Sequence, residues 1–200
     1  MVSHTGDLIY RKLFPVDESI KSKLFIENND LLTLGQISGF SDNVFFVRYD
    51  SLGNELVKRN FIGWLNLHGA YKLLDGNLLI GGSLTSNYGM FIKRINEVGE
   101  TLMEKEFNIA NPSSLYDVAE SLNGEFLVIG YNHYLGMQNG IYFGKLGSNG
   151  AVVLEKQYPG DSGNSLVTTD DGGVLILGYI NNGVMCIIKT NSRGTTFIPL

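Results

Sequence analysis

Two hundred residues with a formal charge of −5, 25 glycines, four prolines and one cysteine make a chain long enough to bury a core and rich in tight turns. The acidic balance, with no run of Lys or Arg longer than a pair, argues against a nucleic-acid surface, and the lone Cys186 rules out an internal disulfide or a thiolate metal site. No apolar run approaches the roughly 20 residues that a bilayer-spanning helix needs.

In chain order, residues 7–14 are expected as a strand and 15–19 as a loop, because Pro15 has no ladder donor and Asp17 and Ser19 favour turns. A full unit follows, with strands near 20–26, 31–37, 43–49 and 55–61. Its first hairpin turn, Asn28-Asn29-Asp30, is matched by Asp75-Gly76-Asn77, Asn123-Gly124 and Asp171-Gly172-Gly173, all residues that tolerate positive φ. The apolar runs LLTLG, LLIGG, FLVIG and VLILG end on Gly35, Gly82, Gly130 and Gly178, at spacings of 47, 48 and 48. A second glycine recurs at Gly53, Gly99, Gly150 and Gly194, with a cation five residues before it at Arg48, Arg94, Lys145 and Lys189. An aromatic stands eight residues after the first three, at Phe61, Phe107 and Tyr158, and Gly6 with Phe14 repeats that spacing.

Markers in one register, at a period near 48 and made only of strands, predict an all-β propeller. The expected form is one domain, 1–200, of four blades of four antiparallel strands. The blades are 18–61, 66–107, 113–158 and 162–194, the last completed by the N-terminal strand within 6–14. Middle strands such as Phe126-Leu127-Val128-Ile129 lack strict alternation, as expected of strands buried between two sheets, whereas the fourth strands are mixed in polarity, which suits an exposed edge. Cys186, in the run VMCII, reads as a buried small hydrophobe.

The two short hairpin connections fall on one side and the longer ones on the other. The longer sets are 36–42, 83–89, 131–140 and 179–183 after the second strands, and 15–19, 62–67, 108–114 and 159–164 after the fourth. Variable loops on a rigid scaffold are where binding residues concentrate. Fourteen residues before each marker glycine stand Lys21, His68, Tyr116 and Asn164, a non-identical polar row. The mostly small residues Ser22, Gly69, Asp117 and Ser165 follow it. The loops add Phe40, Trp64, Tyr88, His133 and Tyr134, aromatic groups able to stack on a sugar or anchor a protein partner.

Catalytic machinery is not assembled. His4, His68 and His133 sit in three units without metal-ligand spacing, and no phosphate-binding glycine loop or calcium loop occurs. GDSGN at 160–164 lies in a connection of the repeat, outside any nucleophile context. No metal or cofactor is therefore expected, and no catalytic residue is assigned.

The pieces TTDDGGVLILGY and SLNGEFLVIGY, each followed by a strand with a basic residue and an RG or NG turn, resemble bacterial propeller repeats of the DGG type, related in layout to WD and kelch repeats. The resemblance covers nearly the whole chain. It implies a platform for proteins or glycans more often than an enzyme. The expectation is a non-enzymatic interaction platform with a protein partner at the loop face, the alternative being a small-molecule or glycan binder at the axial mouth. The chain is expected to be a monomer, or a dimer if the ring is open. MVSHTGDLIYRKLF has no basic head followed by an apolar core, so the expected location is the cytoplasm, with no membrane partner, unless a leader or further repeats have been removed.

Overall fold

The computed structural model describes residues 20–37, 43–61, 65–84, 89–107, 113–132, 140–181 and 183–196. The strand expected at 7–14 lies outside them. Among the described residues there is no helix; fifteen strands form four antiparallel sheets. The first sheet is β1 (Ile20–Glu27), β2 (Asp30–Ile37), β3 (Asn43–Tyr49) and β4 (Glu55–Phe61); the second is β5 (Leu65–Lys72), β6 (Leu78–Leu84), β7 (Met90–Ile95) and β8 (Thr101–Phe107). The third is β9 (Ser113–Glu120), β10 (Phe126–Asn132), β11 (Gly140–Leu146) and β12 (Val152–Pro159), and the fourth is β13 (Ser162–Thr168), β14 (Val174–Ile180) and β15 (Val184–Thr190). Thr196, in the short segment after β15, makes only an isolated bridge to Thr190.

The chain divides into two compact units, Met1–Leu67 with Glu97–Glu100, and His68–Asn96 with Thr101–Leu200. In the second unit the layers follow from polarity. β6 and β11 are buried along their whole length, while β8 is exposed except for its interior position Met103 and the terminal Phe107. Leu79, Met90 and Ile92 of the second sheet pack on Leu115, Val118, Phe126 and Val128 of the third. Leu127, Ile129, Ile141 and Phe143 on the other face of the third pack on Leu166, Val174 and Ile176 of the fourth. A strand apolar on both faces is what this stacking demands.

The turns explain two of the sequence markers. Asn28 and Asn29 carry φ of 49° and 69°, the left-handed pair that a two-residue hairpin needs. The turns at 50–54, 73–77, 121–125, 147–151, 169–173 and 191–195 are five-residue loops sealed at both ends. In one, Gly76 N–H donates to Leu73 O at 3.0 Å and Leu73 N–H to Asn77 O at 2.8 Å. The marker cation of each third strand crosses to the carboxylate at the first turn of its own sheet. Arg48 meets Asp30 at 2.7 Å, Lys145 meets Glu125 at 3.1 Å, Lys189 meets Asp171 at 2.8 Å, and Arg94 pairs with Asp75. Two of these cations also reach onward: Arg48 to Glu97 at 3.1 Å, and Lys145 to Ser192 O at 2.7 Å. The aromatic marker closes the same junction, since Tyr158 donates its hydroxyl to Gly194 O at 2.7 Å, and burial pushes that phenol up to about 12.

Because Lys145 is largely buried and serves both Glu125 and Ser192 O, Lys145→Met should leave a carboxylate and a carbonyl without their donor. We expect a loss of about 2 kcal/mol by urea denaturation. The exposed Lys156→Met should change stability by under about 0.5 kcal/mol.

Candidate functional site

Tyr116 and Asn164, both in the row singled out by sequence, sit at irregularities of the ladder. In the β9–β10 pair Ile129 faces Asp117 and Gly130 faces Leu115, so Tyr116 is the extra residue of a bulge. In the β13–β14 pair Gly163 faces Gly178 and Ser165 faces Leu177, and Asn164 is extra in the same way. A bulge re-aims one side chain and bends the strand, and bulges concentrate beside binding sites. The equivalent place in the first sheet is regular, with Lys21 opposite Gln36.

Rings gather around the β9 bulge. His68 of β5 meets Tyr116 edge-on at a centroid distance of 5.4 Å and an interplanar angle of 79°. Tyr131 stacks on Tyr116 at a centroid distance of 6.0 Å and an interplanar angle of 28°. Tyr116 is half-buried, and burial, followed by the neighbouring Tyr131, raises its phenol above the usual tyrosine range despite a hydrogen bond with Ser114. The phenol therefore stays neutral and acts as a hydrogen-bonding group at any ordinary pH.

The positions after this row are structural. Asp117 Oδ2 accepts from Ser165 Oγ at 2.8 Å and from Leu166 N–H at 3.1 Å, while Oδ1 accepts from Val118 N–H at 3.0 Å. With three donors already on it, this carboxylate is a latch between β9 and β13. Gly69 is small for a reason of approach, because a Cβ there would stand 2.9 Å from Asp117 Cα and from Val118 N. Latch and glycine together hold the strands that carry His68, Tyr116 and Asn164.

The structure thus brings His68 and Tyr116 into contact and places Asn164 on the strand latched to β9. Asn164 is exposed, and its Oδ1 accepts from Ser162 Oγ at 2.9 Å; this occupies the serine that GDSGN offered. The Lys21 side chain, Phe40, Trp64, Tyr88, His133 and Tyr134 lie outside what the structure describes. Sequence reasoning missed Tyr131, counting it as the first residue of a loop. Its signal was its place immediately after marker Gly130, where the other sheets put Gln36, Ser83 and Tyr179. Gln36 is buried and fully used: its amide donates to Asn66 Oδ1 at 2.8 Å and accepts from Leu67 N–H at 2.9 Å. Ser83 Oγ and Asn132 Oδ1, at the same ends of β6 and β10, are buried without a hydrogen-bond partner among the described residues, and such groups mark places where a polar atom of another molecule fits. Among the described residues no group of three or more His, Cys, Asp or Glu could hold a metal ion.

No family model matches the chain, and no curated protein matches it. Solved structures do. A protein of unknown function from Bacteroides caccae superposes with a TM-score of 0.58 at 15% identity, over 98% of this chain and 72% of that one. Two single-residue mutants of Synechocystis apocarotenoid oxygenase superpose with a TM-score of 0.50 at 11% identity, over 84% of this chain and 45% of theirs. At such identities the likeness speaks for architecture alone, and with the four antiparallel sheets it shows the fold class, an all-β propeller of four blades.

Proposed function

We propose that this chain is a non-enzymatic binding module of the bacterial DGG-repeat type, and that its ligand, a segment of a protein partner, sits against Tyr116, His68 and Tyr131. The observation that carries this reading is the bulge at Tyr116, which presents a half-buried phenol in contact with the rings of His68 on β5 and Tyr131 on β10. The latch at Asp117 holds the strands in place before anything binds, so little ordering is lost on association. The unpartnered Ser83 Oγ and Asn132 Oδ1 at the same strand ends supply hydrogen-bonding specificity. Asp117, whose carboxylate accepts three hydrogen bonds, is occupied in holding the strands.

One observation favours a second reading, a glycan or small molecule at the same row. Two near-parallel tyrosine rings, Tyr116 and Tyr131, form the kind of apolar face on which a sugar ring lies while its hydroxyls reach neighbouring polar groups.

The test is affinity capture of partners from cell extract in parallel with a glycan array, repeated with Tyr116→Ala and Tyr131→Ala. Each variant should weaken binding about tenfold, the effect of removing one aromatic anchor, while the melting temperature holds. Binding that survives both substitutions would place the ligand elsewhere. A glycan bound in preference to any protein would select the second reading.

A further inference from the structure

The five-residue turns differ in what accepts from their last N–H. At 50–54, 121–125 and 191–195 it is the side chain of the first residue: Asp50 Oδ1, Ser121 Oγ and Asn191 Oδ1 accept from the N–H of Asn54, Glu125 and Thr195 at 2.8, 3.1 and 2.9 Å. At 73–77 and 169–173 it is the third residue, as Asp75 Oδ1 and Asp171 Oδ1 accept from Asn77 N–H and Gly173 N–H, each at 3.0 Å. The turn at 147–151 opens on Gly147, which has no side chain to offer, and its third residue again takes over. Here that residue is Asn149, whose Oδ1 accepts from Ala151 N–H at 3.0 Å. Asn149 is exposed to water and is followed by Gly150. The turn at 121–125 also carries an exposed asparagine before a glycine, Asn123-Gly124. There Ser121 Oγ takes the N–H of both Asn123 and Glu125, so the Glu125 N–H is not on the Asn123 carboxamide. Two more Asn-Gly pairs, at 139–140 and 182–183, have their asparagine outside the described residues.

We propose that Asn149-Gly150 is a self-modifying site, at which the turn itself promotes deamidation with water as the only co-reactant. The Gly150 amide nitrogen attacks Asn149 Cγ. The N–Cγ bond forms and the Cγ–Nδ2 bond breaks; the Gly150 amide proton passes to solvent, and Nδ2 leaves as ammonia after taking a proton from solvent. Water then opens the cyclic imide at either carbonyl, giving aspartate or isoaspartate. Glycine has no side chain to obstruct the attack. Negative charge develops on Oδ1 as the new bond forms, and Ala151 N–H already points at that oxygen, the arrangement by which a fixed donor stabilises an oxyanion. The same contact folds the carboxamide along Gly150 and keeps Cγ beside the attacking nitrogen. The two nucleophiles start alike, since Gly150 N–H donates to Gly147 O at 2.8 Å and Gly124 N–H to Ser121 O at 3.0 Å. The difference between the sites therefore lies in the carboxamide. Their products have unlike effects on the turn. Aspartate keeps the acceptor oxygen and reproduces the capping by Asp75 and Asp171. Isoaspartate lengthens the backbone beside Gly150, which is seated on β8: a Cβ there would stand 3.0 Å from Met103 Sδ and 3.4 Å from Lys105 Cβ.

Peptide mapping of the full chain after incubation in mildly alkaline buffer, with heavy-oxygen water to mark hydrolysis, tests the proposal by comparing Asn149 with Asn123. The folded protein should deamidate at Asn149 about fivefold faster than at Asn123, the effect of one net hydrogen bond on a rate. In guanidinium chloride, where neither turn exists, the two sites should react at the same rate. Gly147→Ser supplies a hydroxyl to take the Ala151 N–H, as Ser121 does in its own turn, and should slow Asn149 about fivefold. Ser121→Gly makes the reverse change and should quicken Asn123, which keeps the proposal testable if the first variant misfolds. Equal rates at the two sites of the folded chain, or a folded-state ratio reproduced in denaturant, would overturn the proposal. So would a folded Gly147→Ser protein that deamidates at Asn149 like the wild type, or a folded Ser121→Gly protein unchanged at Asn123.

Discussion

Gly130→Ala is expected to cost about 3 kcal/mol, the upper range for forcing an atom into a closed site. The reason is backbone, not flexibility. A Cβ at Gly130 would overlap the Ser114 carbonyl oxygen and stand 2.9 Å from Leu115 Cα, and neither can move without dismantling the β9 ladder. The clash arises from the bulge, since the extra residue Tyr116 carries the backbone of Ser114 across the place where a side chain would go. Gly178 faces the β13 bulge and shows the same pattern, with a Cβ 2.5 Å from Ser162 O. In the first sheet, where the register is regular, the nearest atoms to a Cβ at Gly35 belong to the Phe45 ring. The control is Gly76→Ala, at a turn with φ of 85° and open space around it, where only the left-handed conformation is penalised, by about 1 kcal/mol. Urea melts of the two variants should differ by about 2 kcal/mol. Equal melts would remove the bulge as the cause of the marker glycine.

Asp117→Ala should be nearly as damaging, by about 2 to 3 kcal/mol in the same melts, because it strands the Leu166 N–H and Ser165 Oγ donors at the β9–β13 junction. Asp117→Asn keeps one acceptor oxygen and should lose about half as much. The structural role also predicts a second readout. Ligand affinity should fall in Asp117→Ala together with faster hydrogen exchange at β13, whereas Tyr116→Ala should lower affinity alone. A fall in affinity with β13 exchange unchanged would make Asp117 a direct ligand group.

Most of the architecture could be read from the sequence, because the physics that sets it is local. Asn28-Asn29 demands left-handed backbone, the apolar run around Ile129 demands two covered faces, and the spacings of 47, 48 and 48 mark out four like sheets. The bulges were not readable. A bulge shifts register by one residue and leaves hydrophobicity unchanged, so Tyr116 read as a polar strand residue and Asp117 as one more of a small-residue row. The recurring cations were visible as a pattern, but their purpose was not. Only the fold brings Lys145 beside both Glu125 and the Ser192 carbonyl. VMCII read as a buried strand, and its composition cannot tell a face covered by the chain from one left bare: Cys186 and Ile188 turn inward, while Met185 and Ile187 do not. Cys186 itself, expected as buried, is only partly so, and burial pushes its thiol up from the usual value. Six of the nine residues singled out for the site, Lys21 by its side chain, lie outside the described residues.

The unequal ladders have a consequence for valency. Propellers whose units are alike can display one pocket per blade, and such arrays gain avidity on clustered ligands. Here Lys21 lies on a regular ladder, Tyr116 and Asn164 are pushed out by bulges, and the three rings converge at one bulge alone. On the binding reading proposed above, a scaffold differentiated in this way would saturate at one ligand per chain. It would gain nothing intrinsically from a ligand that repeats itself.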